Sequence, residues 1–160
     1  MVVLVPTAGA EAEEILARTR QRGHAALLAT GVGADEAWEL IRAQHARLIP
    51  EGVATAQHRF VRIESTDGER LGECWFGPLY GSGDDWYVFD IELDEGRRGR
   101  GLGRQAMRAV ADECRAAGAR RLGLSVATGN TRARAACDAV GFRVAREDAT
   151  SAEMWLDLTS

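Results

Sequence analysis

Apolar and polar residues alternate with a period of two in two neighbouring segments, His58–Glu64 and Glu69–Phe76. The step Thr66-Asp67-Gly68 separates them, and an Asp-Gly pair between two alternating runs is a strong hairpin signal. A third alternating run, Trp86–Leu93, follows a glycine-rich loop. The pattern therefore predicts three consecutive strands. On the third it places Asp90 and Glu92 on one face with Trp86 and Val88, and on the other face Tyr87, Phe89, Ile91 and Leu93.

A period of three to four residues marks the helices. It is clearest after Gly101, where Leu102, Ala106, Val110, Cys114 and Ala117 form one stripe and Gly118 is placed to end the helix. A second helix is predicted behind an Asp35 N-cap, with its apolar face made by Trp38, Ile41, His45 and Leu48 and its end before Pro50.

The remaining elements complete a mixed order. They are a strand at Val2–Val5, a helix from Glu11 to about Ala29, a strand at Arg121–Val126, a helix at Thr131–Val140 closed by Gly141, and strands at Phe142–Arg146 and Glu153–Leu158. The order β-α-α-β-β-β-α-β-α-β-β predicts an α/β (α+β) fold, with about seven strands in a mixed, mostly antiparallel sheet flanked by four helices. No repeat or linker interrupts the 160 residues, so we expect a single domain over 1–160.

Composition excludes several classes of protein. All 20 basic residues are arginine, which removes Schiff-base enzymes and P-loop NTPases because both need a lysine. The 3 cysteines have neither metal nor disulfide spacing, and the 3 histidines show no metal or nucleophile–base spacing, so we predict no metal. The net charge of −4 argues against a nucleic-acid partner. No apolar run is long enough for a membrane span and the start MVVLVPTAG has no basic leader region, so we expect no membrane partner and a cytoplasmic location.

The segment RRGRGLGR, residues 97–104, joins a strand end to a helix start. Free backbone amides and the positive end of the helix dipole make this position suitable for an anion, and glycines let the backbone approach it closely. In an arginine- and glycine-rich chain the same run could also be a solvated loop. The Rossmann spacing fails because Arg104 stands where the third glycine is needed.

The hexapeptide RGRGLG, residues 98–103, resembles the R/Q-x-x-G-x-G/A motif of the GNAT superfamily of N-acyltransferases. A second stretch, LSVATGNTRARAACDAVGF, is similar to the family's strand followed by an Asn-initiated helix and Gly-Phe. The order of elements also matches that family, so the resemblance spans nearly the whole chain. It implies a GNAT-like fold, acetyl-CoA as co-substrate and transfer of the acetyl group to an amine in a ternary complex.

The resemblance also implies roles for particular residues. The loop amides would cradle the pyrophosphate of acetyl-CoA, and backbone groups of Ile91 and Leu93 would pair with the pantetheine arm. Asn130 would contact that arm, although an Asn before a helix is equally explained as an N-cap. The implied pyrophosphate-binding residues are Arg98, Gly99, Arg100, Gly101, Leu102, Gly103 and Arg104.

The chain departs from the family at Cys137, where the family commonly has a tyrosine that protonates the departing CoA thiolate. Cys137 is therefore a candidate acid. The competing interpretation is core packing, because Ala133, Ala136, Cys137 and Val140 form an apolar stripe at helical spacing.

Six acids lie between Asp84 and Glu95 with no basic residue among them. Such a segment suits a cationic amine acceptor, or forms ion pairs within the protein. Asp90 and Glu92 share a strand face, so either could be the general base that takes the amine proton. His45 and Trp38 are weaker pocket candidates. The alternative to an enzyme is a non-catalytic acetyl-CoA-binding or CoA-binding module, and the assembly could be a homodimer.

Overall fold

Seven strands form one sheet in the computed structural model, which describes residues 1–97 and 101–159. Its order is β1-β2-β3-β4-β5-β7-β6, and every neighbouring pair is antiparallel except β4 and β5, which run parallel. The strands are β1 Val2–Pro6, β2 Arg59–Ser65, β3 Arg70–Pro78, β4 Asp85–Leu93, β5 Arg121–Ala127, β6 Arg143–Glu147 and β7 Ser151–Asp157. The predicted mixed, mostly antiparallel fold is confirmed.

Four helices accompany the sheet, as predicted: α1 Gly9–Ala29, α2 Ala34–Leu48, α3 Leu102–Ala116 and α4 Thr131–Val140. Two short 3-10 turns, Gly52–Ala54 and Leu79–Gly81, were not predicted. The predicted N-cap at Asp35 is wrong, because α2 begins at Ala34 and its N-cap is Gly33, two residues earlier than predicted. Asp35 instead lies in the first turn, where a carboxylate still interacts favourably with the helix dipole.

Two hydrophobic clusters lie on the two faces of the sheet. One face packs against α3 and α4 and contains Val88, Val110, Leu122 and Met154 among its buried residues. The other face packs against α1 and the end of α2, where Ile15, Leu48, Phe60 and Trp75 are buried. For reference below we call these the α3 face and the α1 face.

A β-bulge in β4 changes which side chains share a face. Trp75 of β3 pairs with Asp90, but the next residue, Phe76, pairs with Val88, so Phe89 is an extra residue. The predicted strict alternation is therefore wrong beyond Phe89: Phe89 packs on the α1 face as alternation requires, but Asp90 binds residues of α1 beside it. Trp86, Val88, Ile91 and Leu93 all pack on the α3 face. The extra residue thus turns Asp90 and Glu92 away from Val88.

Candidate functional site

The pairing of the two parallel strands ends early. It joins Asp85–Val88 of β4 to Arg121–Leu124 of β5, while β4 continues to Leu93 and β5 to Ala127. The predicted contact residues Ile91 and Leu93 both lie in this last part of β4. An amide-bearing ligand can add to a strand in such a region as an extra strand would.

The N-terminus of α3 lies just beyond this end of β4. Gly101 is its N-cap and has the left-handed φ of 74°, which a residue with a side chain rarely adopts. Leu102 and Gly103 form the first turn of the helix, and a Cβ added to Gly103 would lie 3.8 Å from Leu93 Cδ1, an ordinary contact. Arg98, Gly99 and Arg100, the other predicted loop residues, lie outside the described residues.

Three exposed arginines near the starts of α3 and α4 have no ion-pair partner among residues 1–97 and 101–159. Arg104 and Arg108 lie one turn apart at the start of α3, and Arg132 lies in the first turn of α4. Most other described arginines are paired, for example Arg134 with Glu147 at 2.7 Å. Positive charge without a counter-ion is available here for an anionic ligand.

Asn130 is the N-cap of α4. Its Oδ1 accepts a hydrogen bond from the Ala133 amide at 3.1 Å, which confirms the capping interpretation. The side chain is exposed, so its amide nitrogen can still donate to a ligand.

The predicted base candidates, Asp90 and Glu92, both lie beside Arg22 of α1. Arg22 Nη2 is 2.5 Å from Asp90 Oδ2, and Arg22 Nε is 3.9 Å from Glu92 Oε2. Thr19 Oγ1 donates to the same Asp90 oxygen at 3.0 Å. The side chain of Asp90 is 17% exposed and that of Glu92 34%, so Glu92 is the more accessible of the two.

Glu73 was not singled out in the sequence, yet it is the most buried charge of this region, with 1% exposure. It is the cross-strand partner of Glu92 and accepts hydrogen bonds from Arg18, Arg22 and Arg70 at 2.7 to 3.1 Å. Burial favours the neutral acid, but the hydrogen bonds from the three guanidinium groups outweigh it and hold the pKa of Glu73 below its ordinary value. A single acid inside the apolar strand RLGECWF was the signal that could have identified it.

The acidic segment is therefore extensively paired within the protein. Asp85 binds Arg121 at 2.8 Å, Asp90 binds Arg22, and Asp94 lies 3.3 Å from Arg70. These partners come from distant parts of the chain rather than from the basic segment that follows the acids. Much of the negative charge predicted to attract a cation is balanced locally.

Two histidines lie around the buried ring of Trp75. His58 Nδ1 accepts a hydrogen bond from Trp75 Nε1 at 3.0 Å, and His45 Nδ1 accepts one from Arg20 Nε at 3.1 Å. Burial lowers the pKa of both to about 4, and the charge of Arg20 adds to the effect at His45. Both imidazoles are neutral at pH 7. Trp38, the other predicted pocket candidate, stacks on His24 with ring centroids 4.0 Å apart.

Cys137 is 4% exposed and packs in the hydrophobic cluster on the α3 face. Burial, with a smaller contribution from the charge of Asp138, raises the pKa of its thiol to about 11. The thiol is thus protonated at neutral pH but is a weak acid.

Neither a metal site nor a membrane span is found in the described part of the chain. No group of three or more His, Cys, Asp or Glu side chains there is arranged to hold a metal ion. None of its helices has the length and apolar character needed to cross a bilayer.

The sequence profile of the acetyltransferase (GNAT) family matches residues 15–142. The chain belongs to this family. The uncharacterized N-acetyltransferase YdgE of Bacillus subtilis strain 168 is 32% identical over 93 residues, which are 57% of this chain and 59% of that protein. The chain thus matches about three fifths of that relative's length.

Two solved structures share the fold. The crystal structure of the acetyltransferase YycN from Bacillus subtilis superposes with a TM-score of 0.80 at 23% identity, covering 92% of this chain and 96% of that one. A spermidine N-acetyltransferase from Vibrio cholerae, in complex with CoA and spermine, gives 0.69 at 11% identity, with coverage of 99% and 96%. The GNAT-like fold expected from the sequence is confirmed.

Proposed function

We propose that this chain is an acetyl-CoA-dependent N-acetyltransferase acting on an amine in a ternary complex. One observation carries the proposal: at one end of the sheet, the β4–β5 pairing stops, a left-handed glycine opens α3, and Arg104, Arg108 and Arg132 lack counter-ions among the described residues. A long ligand with an amide-bearing arm and a polyphosphate end matches all three features.

In this proposal the α3 end of the site binds the phosphates. Backbone amides at Gly101, Leu102 and Gly103 donate to the pyrophosphate, with Arg98, Gly99 and Arg100 completing the loop, and Arg104 adds charge. Ile91 and Leu93 pair with the pantetheine arm through their backbone, and Asn130 donates from its side-chain amide. Acetyl-CoA supplies the acetyl thioester that the acceptor attacks.

The amine must lose a proton before it can attack. At pH 7 an alkylammonium with a pKa near 10 is about 3 pH units below its pKa, so removing its proton costs roughly 4 kcal/mol. Asp90 or Glu92 takes this proton, directly or through water. Arg22 and Thr19 both bind Oδ2 of Asp90, which fixes the carboxylate, and neither of them binds Oδ1.

Cys137 does not need to act as the acid. A thiol with a pKa of about 11 is a weaker acid than an ordinary thiol with a pKa of about 8.5, so proton transfer to a departing thiolate would be uphill by about 2.5 pK units. Release of the thiolate toward solvent, or protonation by the acceptor's own proton, avoids this cost.

The raised pKa of the Cys137 thiol also favours a second candidate function, a CoA-binding module without turnover. A thiol-release assay with acetyl-CoA across a panel of amines separates the two. The panel includes a polyamine, an amino acid and a peptide N-terminus, and binding is followed in parallel by thermal shift. An enzyme releases CoA with at least one amine, whereas a binding module is stabilised by acetyl-CoA and releases none. Absence of both effects would contradict the shared CoA site.

A further inference from the structure

Four arginines line an open cleft of about 840 Å³ at the opposite end of the sheet from the N-terminus of α3. Arg115 is in the last turn of α3, Arg120 is in the following loop, Arg121 begins β5, and Arg143 begins β6. Three elements and one loop therefore contribute residues of the same charge to the lining of one cleft. Such an arrangement is unfavourable unless anions balance it.

The protein balances only part of this charge. Arg115 donates to the Leu158 carbonyl and to Asp112, and Arg121 binds Asp85. The side chains of Arg120 and Arg143 make no hydrogen bond or ion pair to any residue the structure describes. Asp157 is the acidic residue among the described cleft-lining residues, and the charge of Arg120 acts on it across the cleft without a direct ion pair. Its Oδ1 already accepts from the Thr159 amide and hydroxyl.

Helix ends do not explain the cluster. Arginines often bind the free carbonyls at helix C-termini, but here backbone amides bind several of those carbonyls, and no described arginine side chain donates to them. The amides of residues 117–119 bind the carbonyls of Glu113, Arg115 and Cys114 at the end of α3. At the end of α4, the amides of Gly141 and Phe142 bind the carbonyls of Cys137 and Asp138. Arg120 and Arg143 thus remain available to a ligand.

We propose that this cleft binds a phosphorylated small molecule and recognises its pyrophosphate group through Arg120 and Arg143. Guanidinium groups bind phosphate oxygens in pairs, and several of them around one group suit a multivalent phosphate. The volume lies within the range of small-molecule sites. The Arg121 guanidinium covers the Trp155 ring at 4.3 Å, and the ring lies against Gly123, so the ring offers little surface for a ligand to stack on. Recognition in this cleft therefore depends on the charged end of the ligand.

Inorganic pyrophosphate is the probe, titrated at ionic strength held constant with KCl. Binding is followed by two-dimensional ¹⁵N NMR at the Gly141 amide and the Trp155 indole, both of which belong to cleft-lining residues. We expect a saturable shift at both signals. The Arg120→Gln/Arg143→Gln variant should weaken this binding by about tenfold or more, because two charge-assisted contacts are lost.

Arg104→Gln/Arg108→Gln is the matched control. It removes the same charge from the other end of the sheet and should leave the titration at Gly141 and Trp155 unchanged, whatever it does to acetyl-CoA. All four arginines are exposed, and thermal unfolding checks that both variants remain folded. Absence of a saturable shift, an unchanged affinity in the Arg120/Arg143 variant, or an equal affinity for the dicarboxylate succinate would overturn the proposal.

Discussion

Arg22 and Asp90 form the shortest contact around the two base candidates, Asp90 and Glu92, with 2.5 Å between Nη2 and Oδ2. The same Nη2 also lies 2.8 Å from Glu73 Oε2. One guanidinium from α1 therefore bridges two strands of the sheet. Burial opposes its charge, but the hydrogen bonds that Arg22 donates to both carboxylates raise its pKa above the ordinary value, so it stays cationic.

Asp90→Asn and Glu92→Gln should separate the two base candidates. The variant that loses the base should lower turnover at pH 7 by about 10²-fold and move its activity optimum to higher pH, where the amine deprotonates without help. The other variant should keep the wild-type profile. The measurement is kcat/KM against pH for both variants with one amine. If both profiles match the wild type, neither carboxylate is the base.

Glu73→Gln should destabilise the fold, because it leaves three guanidinium groups around a neutral amide. We expect a loss of roughly 3 kcal/mol in the free energy of unfolding. This is the low end for a broken buried ion pair, since the partner side chains remain 29% to 43% exposed. Urea unfolding measures it. Glu69→Gln, which removes an exposed carboxylate paired with Arg97, is the control and should cost less than about 1 kcal/mol. Equal stability of the two variants would show that the negative charge of Glu73 beside the three arginines does not contribute to the free energy of unfolding.

Gly101→Val should abolish acetyl-CoA binding. The left-handed φ of 74° disfavours any side chain, and a β-branched one would also stand at the amides proposed to meet the phosphates. Gly103→Ala is the control, because that position is helical with an ordinary contact at 3.8 Å and the family motif accepts alanine there. Calorimetric titration with acetyl-CoA measures both. Retained affinity in a folded Gly101→Val protein would rule out the cradle.

Acid should destabilise the protein through His45 and His58. Their pKa of about 4 in the folded protein lies below the ordinary value near 6.5. The unfolded chain therefore binds more protons between these values, and stability is complete above about pH 6.5 and falls as pH drops toward 4. The expected loss is a few kcal/mol for the pair.

Urea midpoints measured from pH 7.5 to 4 test this dependence. His45→Gln and His58→Gln should each flatten it. His24→Gln, which changes the half-buried imidazole stacked on Trp38, is the control for loss of a histidine outside this pair. A dependence that remains unchanged in both buried-histidine variants would assign the acid sensitivity to other groups.

The sequence predicted the fold because its signals are local. Asp67-Gly68 defines the hairpin between β2 and β3, and the apolar stripe of α3 with Gly118 after it defines the helix with the most buried residues. The bulge at Phe89 leaves no such signal, since one extra residue in an alternating strand depends on its pairing with β3. The Glu73 cluster was also missed, because its arginines come from α1 and from the start of β3 and meet only in the folded chain. Likewise, the cleft at Arg120 and Arg143 forms where loops from distant parts of the sequence converge.

Cys137 is where the packing and acid hypotheses give opposite outcomes. With 4% exposure and a pKa of about 11, we expect packing to be its role. Cys137→Ala should then cost about 1 to 2 kcal/mol of stability for a small cavity and leave turnover within a few-fold of the wild type. If the thiol protonates the leaving group, the same variant should lose about 10²-fold in turnover while acetyl-CoA affinity stays near normal.

Cys137→Tyr is the complementary test at this position, since it introduces the residue common in the family. The sulfur lies in a closed cluster with Ala133 and Val140 packed against it, so the larger ring should overpack α4 and cost about 1 to 3 kcal/mol without raising activity. Cys137→Ser separates packing from polarity, because it keeps nearly the same volume but buries a hydroxyl. Thiol-release rates and thermal midpoints of the three variants give the answer together. A folded Cys137→Ala protein with strongly reduced turnover, or a Cys137→Tyr protein that is stable and more active than the wild type, would show that this position belongs to the catalytic site.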